Sequence, residues 1–156
     1  MSDRIKCTAR LNELLESNFF IAKSYKRIMK SVKEENLQTF FRKKASKRFQ
    51  FAIELSEEIG FLKEAYSSYG PFSPLKRVNS LSSEENLLSL LKKSIKKDKK
   101  ILKDYKQAMS VINEGSTREI LLRHMSIIEK SILELKTLKA ASQEVAQENP
   151  DLKAHI

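Results

Sequence analysis

Leu91, Ile95, Asp98, Leu102, Tyr105, Met109 and Ile112 follow one another at intervals of four, three, four, three, four and three residues. An α-helix gathers residues at those intervals onto one face, because its 3.6-residue turn aligns i, i+3, i+4 and i+7. Three more segments repeat the pattern. Leu11, Leu14, Leu15, Ile21, Ala22, Tyr25, Ile28, Met29 and Val32 carry it from Ile5 to Val32. After the polar break VKEEN (32–36) it resumes at Leu37, Phe40, Phe41, Phe51, Ala52, Leu55 and Ile59, and a fourth helix is expected from Thr117 to about Val145. Three glycines and three prolines in 156 residues leave few turns, so the helices are few and long.

The breaks set the connectivity. VKEEN and the NEGS turn (113–116) are short enough to make each pair of helices they join antiparallel neighbours. Between about Glu64 and Ser83 the periodicity fails, and AYSSYGPFSPLKRVNSLSS holds two of the prolines and a Gly-Pro step, the marks of a long connector. Ser82 with Glu85 and Ser116 with Glu119 read as capping boxes that start helices three and four. Each helix has one apolar stripe, and four stripes enclose a core. The expected fold is all-α: an antiparallel up-down-up-down four-helix bundle with its long connector between helices two and three. Residues 1–146 form a single domain in this reading, and 147–156 a flexible tail.

The single cysteine, Cys7, excludes a disulfide framework, a paired-cysteine zinc site and a CxxC redox motif, and it suits a reducing cytoplasm. No stretch approaches the roughly 20 apolar residues of a membrane span. A net charge of +10 favours contact with nucleic acid or another acidic macromolecule. The basic character peaks at LLKKSIKKDKKILKDYK, residues 90–106, where eight of seventeen residues are lysine. Lys93, Lys96, Lys97, Lys100 and Lys103 lie off the apolar stripe, where they form either an ordinary solvated face or a comb for non-specific, salt-sensitive anion binding.

Polar residues interrupt every stripe near its midpoint: Asn18 in helix one, Lys44 and Arg48 in helix two, Asp98 in helix three and Ser131 in helix four. In a bundle of similar-length helices those midpoints fall at one level, so Asn18, Arg48, Asp98 and Ser131 are expected to form one buried polar layer. A buried carboxylate needs a partner, and a guanidinium is the one best able to satisfy it. An ion pair between Asp98 and Arg48 follows; the alternative has Arg48 reaching outward while Asp98 bonds Asn18, Tyr25 or Tyr105. Phe19, Phe20 and Phe61 exceed the stripes and make a homodimer a candidate assembly.

Signs of other chemistry are weak. His124 sits midway along helix four, yet RHMSIIEKS lacks the lysine and glycine that follow a phosphotransfer histidine, and a partly buried or surface histidine is the plainer reading. Three glycines do not build a phosphate loop, and the adjacent carboxylates Glu34 with Glu35, Glu57 with Glu58 and Glu84 with Glu85 fall at helix ends or outer faces. No feature argues for an enzyme.

LNELLES (11–17), VKEENLQTFFRKKASKRFQFAIEL (32–55), DKKILKDYKQAM (98–109) and LLRHMSIIEKSILELKTL (121–138) are similar to a bacterial family of uncharacterised ferritin-like four-helix-bundle proteins, a domain of unknown function. The connector is shorter than in that family and lacks its usual tryptophan. The resemblance implies a ferritin-like fold, in which di-iron members take a Glu from each of two helices and an ExxH pair from each of the others. Here helix two offers Lys47 and Gln50 at that spacing, helix four offers Glu129 and Ile132, and Asp98 alone remains as an inward acid. The expected protein is therefore a metal-free, cofactor-free, non-catalytic binding or assembly protein. The alternatives are a non-specific polyanion binder acting through its lysine face, and a ferritin-like metal-binding protein or oxidase.

Overall fold

A computed structural model describes residues 2–65, 86–113 and 115–148, and in them the chain forms four helices: α1 (Ser2–Ser31), α2 (Glu35–Ala65), α3 (Leu87–Met109) and α4 (Gly115–Glu148). The apolar stripes face one another. Leu11, Leu14, Tyr25, Phe41, Leu55, Leu91, Tyr105, Leu121, Ile128 and Leu135 are almost wholly buried in one core cluster. In α3 the stripe is turned slightly from its expected position: Ser94, Ile101 and Ala108 are buried, whereas Leu102 and Met109 are only partly covered. Of the surplus aromatics, Phe19 packs edge-on to Phe49 with ring centres 5.6 Å apart, and Phe61 is 67% exposed.

Local chemistry fixes the helix ends. Ser31 Oγ donates to the Ile28 carbonyl at the end of α1, and Gln38 reaches back from the first turn of α2 to the Val32 carbonyl. At the end of α3, Arg118 Nη1 donates from α4 to the carbonyls of Met109 and Ile112, at 2.6 and 2.7 Å. A cation there satisfies acceptors that the helix leaves without partners and meets the negative end of its dipole. Both expected capping boxes need revision. Ser82 and Glu85 lie outside the described residues, and α3 is capped instead by Asn86, whose side chain accepts from the Ser89 amide. Because α4 already begins at Gly115, Ser116 sits inside its first turn. At the other end α4 runs to Glu148, two residues past the expected end of the domain at 146.

The expected up-down-up-down order is not what the contacts give. Partner residues run in opposite order between α1 and α2 (Phe19 with Phe49, Tyr25 with Phe41) and between α3 and α4 (Tyr105 with His124, Asp98 with Ser131). They do so as well between α1 and α3 (Asn18 with Tyr105, Tyr25 with Asp98) and between α2 and α4 (Lys44 with Glu134, Glu54 with His124). Both α2 and α3 thus run against α1, and the order is up, down, down, up. The two short breaks force α1 against α2 and α3 against α4, but the segment between α2 and α3 is long enough to permit either direction. Its residues 66–85 span about 66 Å when extended, against about 35 Å for the 23 residues of α3.

Among the four pairs of neighbouring helices, the backbones of α1 and α2 make the most extensive approach and those of α2 and α4 the least. Long side chains bridge the wider gap. Removing the Asn86 cap by Asn86→Ala is expected to cost about 1 kcal/mol in urea denaturation, whereas Ser116→Ala should leave stability within about 0.5 kcal/mol of the parent.

Candidate functional site

Asp98 is fully buried, and each of the other three helices sends it a partner. Tyr25 of α1 donates its hydroxyl to Asp98 Oδ2 at 2.8 Å, and Ser131 of α4 donates to the same oxygen at 3.3 Å. Arg48 of α2, 2% exposed, brings Nη2 to 3.0 Å from Oδ1. That contact is an ion pair by distance, but among the described residues neither Nη2 nor Oδ1 has an aligned hydrogen-bond partner, and Nη1 has none either. The guanidinium therefore neutralises Asp98 while keeping unused donors. From Ser131 the network continues outward: Lys44 Nζ donates to Ser131 Oγ and to Glu134 Oε1, both at 2.9 Å. Burial pulls the Lys44 pKa down against the upward pull of Glu134, while burial and then the nearby Asp98 charge push the Tyr25 hydroxyl well above its ordinary value.

Asn18 does not join this group. It lies seven residues from Tyr25 on α1, about 10 Å along a helix axis, and its Nδ2 donates to the Tyr105 hydroxyl at 2.8 Å and to the Leu14 carbonyl at 2.9 Å. The single expected layer is instead two tiers. The middles of α3 and α4 do meet, at Asp98 and Ser131, but α1 is displaced along its axis, so that Tyr25 and not Asn18 lies at their level.

The second tier centres on His124, which is fully buried rather than near the surface. Its Nδ1 lies 2.8 Å from the Tyr105 hydroxyl and its Nε2 lies 2.8 Å from Glu54 Oε1. Arg123 Nη1 holds the other Glu54 oxygen at 2.9 Å. Asp98 is thus not the only acid turned inward: Glu54, half-buried on the flank of α2 between Phe51 and Leu55, reaches the interior through His124. One assignment of protons completes each link from Asn18 Nδ2 to Glu54, with Asn18 Oδ1 left without a partner among the described residues. Asn18 donates to Tyr105, Tyr105 donates to Nδ1, and a neutral His124 donates from Nε2 to Glu54. Burial lowers the His124 pKa to about 4 in spite of Glu54. Burial raises Glu54 in turn, but its bonds from His124 and Arg123 outweigh this and hold it below the usual carboxylate value.

Phe51 joins the tiers, its ring stacked on His124 with centres 3.8 Å apart and 5.9 Å from the Arg48 Cζ. The lysine face of α3 is separate from both. Lys93, Lys96, Lys100 and Lys103 are exposed there, Lys100 pairs with Asp104 at 3.2 Å, and Lys97 leans over the Phe20 ring to donate to Ser24. Among the described residues no three of His, Cys, Asp and Glu gather as metal ligands. The buried donors do not fit a di-iron centre, which takes several carboxylates, because the central one here is paired with a cation. Comparison with models of known protein families found no match, and neither did comparison with curated proteins.

Asp98→Ala leaves the buried Arg48 charge without its partner and is expected to cost about 3–5 kcal/mol in urea denaturation. Combining Asp98→Leu with Arg48→Met should recover most of that loss, since an apolar pair removes both desolvation penalties. The folded pKa of His124 lies below the unfolded one, so its contribution is complete above about pH 6.5 and is lost as pH falls towards 4. Unfolding free energy measured across that range should drop by on the order of 3 kcal/mol, and His124→Asn should flatten the dependence.

Proposed function

We propose that this chain is a ferritin-like bundle whose centre holds an ion pair in place of a metal, and that it works as a binding or assembly protein without catalytic activity. The up, down, down, up order with one long link between the second and third helices supports the ferritin-like reading, since that fold has one long crossover connection. The observation that carries the metal-free reading is Arg48, 3.0 Å from Asp98 at the level where inward carboxylates would otherwise meet a cation. A guanidinium there repels a metal ion and occupies the carboxylate it would need.

The groups best suited to proton transfer are tied into structure. Both nitrogens of His124 are within bonding distance of fixed partners, and its lowered pKa leaves it neutral near pH 7. No helix among the described residues is long and apolar enough to cross a membrane. Cys7 is buried, with its thiol 3.4 Å from the Val111 carbonyl, and suits the reducing cytoplasm as a proposed location.

Anaerobic titration with ferrous iron, followed by metal analysis after desalting, tests this reading. Iron is expected to wash away with buffer. Retention of two iron ions per chain would overturn the metal-free centre.

A further inference from the structure

The gap between α2 and α4 opens into a groove of about 420 Å³ beside Arg48. Lys43, Lys44, Lys47 and Arg48 enter its wall from α2, and Lys130 and Ser131 from α4. Five cationic side chains thus surround a space in which Glu134 is the one acidic lining residue among the described residues. Surface lysines alone would signify little, but Arg48 is different. It is 2% exposed, its Nη2 lies 3.0 Å from Asp98 Oδ1, and neither Nη1 nor Nη2 has a hydrogen-bond partner among the described residues. A buried charged donor left unpaired costs about 1–3 kcal/mol or more, so a guanidinium held this way beside a cationic groove suits an incoming acceptor.

The geometry points to a binding site in this groove for the phosphate group of a small, partly apolar organophosphate, with Arg48, Lys44, Lys47 and Lys130 as its cationic contacts. This deepens the reading of the chain as a binding protein and rests on it. Phosphate matches the donors because its three terminal oxygens can take bonds from several directions at once, from a guanidinium and ammonium groups alike. Lys44 Nζ spends two of its three donors on Ser131 and Glu134 and keeps one. Its pKa, lowered first by burial, would be restored by an anion alongside. The remaining wall sets the rest of the ligand. Phe40, whose ring lies 4.7 Å from Lys44 Nζ, and Ile127 offer apolar contact, and Glu134 disfavours an extended polyanion such as nucleic acid.

Titration of the intact chain with phenyl phosphate, followed by calorimetry and by amide and arginine side-chain NMR, tests the site. One-to-one saturable binding is expected, tighter than inorganic phosphate, with shifts concentrated at Arg48, Ile127 and Ser131. The exposed pair Lys47→Gln with Lys130→Gln should weaken it on the order of tenfold without unfolding the bundle, whereas Lys96→Gln with Lys103→Gln on α3 should change nothing. Arg48→Lys, which keeps the charge beside Asp98 but removes the surplus donors, should weaken it further if that variant folds; the rim pair decides the matter if it does not. Absence of saturable binding at millimolar phenyl phosphate, or equal loss from the α3 pair, overturns the site. A single-stranded oligonucleotide that binds the groove more tightly than phenyl phosphate overturns the small-ligand assignment. Each of these failures would leave the iron titration unaffected, so the metal-free centre and the phosphate site stand or fall separately.

Discussion

Asp98 is the point to which the whole bundle is referred. A carboxylate taken out of water imposes a penalty of several kcal/mol, and only closely fitted partners offset it. Here the partners come from three different helices: the Tyr25 hydroxyl from α1, the Arg48 guanidinium from α2 and the Ser131 hydroxyl from α4. Sliding any one helix by a turn, about 5.4 Å, would separate its partner from Asp98. Apolar stripes alone tolerate such slips, because one leucine layer resembles the next. The buried charge specifies register more than it adds to stability.

The same logic explains what could be read from the sequence. Asp98 was legible because it occupies a four-three stripe where every neighbouring position is apolar or aromatic, and Arg48 because it interrupts the stripe of α2 with the group best able to satisfy a buried carboxylate. Helix direction was not legible, since an amphipathic pattern reads alike from either end and a long connector tolerates both. Asn18 sits near the middle of α1, but that helix is shifted along the bundle so that Tyr25 reaches Asp98, and an apolar stripe carries no mark of such a shift. Glu54 escaped notice because it borders its stripe and stays 22% exposed, although its position between Phe51 and Leu55 aims it towards the interior edge.

The two tiers differ in character. Around Asp98 the charges are formal and the hydrogen bonding is incomplete, with Arg48 donors to spare. Around His124 the chain from Asn18 to Glu54 is neutral along most of its length and closed at every link of the histidine. Phe51 lies between them, its ring stacked on His124 and 5.9 Å from the Arg48 Cζ. The closed tier behaves as scaffold. In the incomplete tier, Arg48 and Ser131 line the groove between α2 and α4.

The distribution of contact types carries a kinetic consequence. Within the first hairpin, α1 meets α2 through rings and aliphatic side chains, as in Phe19 on Phe49 and Tyr25 on Phe41. Between the hairpins the bonds are largely polar and join residues far apart in sequence, from Tyr25 with Asp98 to Lys44 with Glu134. Each hairpin has a short loop and local contacts and can form quickly, whereas joining them must close the long link first. Asp98 and Arg48 stay hydrated until that docking step, when both lose water together. Docking must therefore strip water from a charge pair, and because each hairpin carries more basic than acidic residues, salt that screens their mutual repulsion would hasten their meeting while hardly altering the helices themselves.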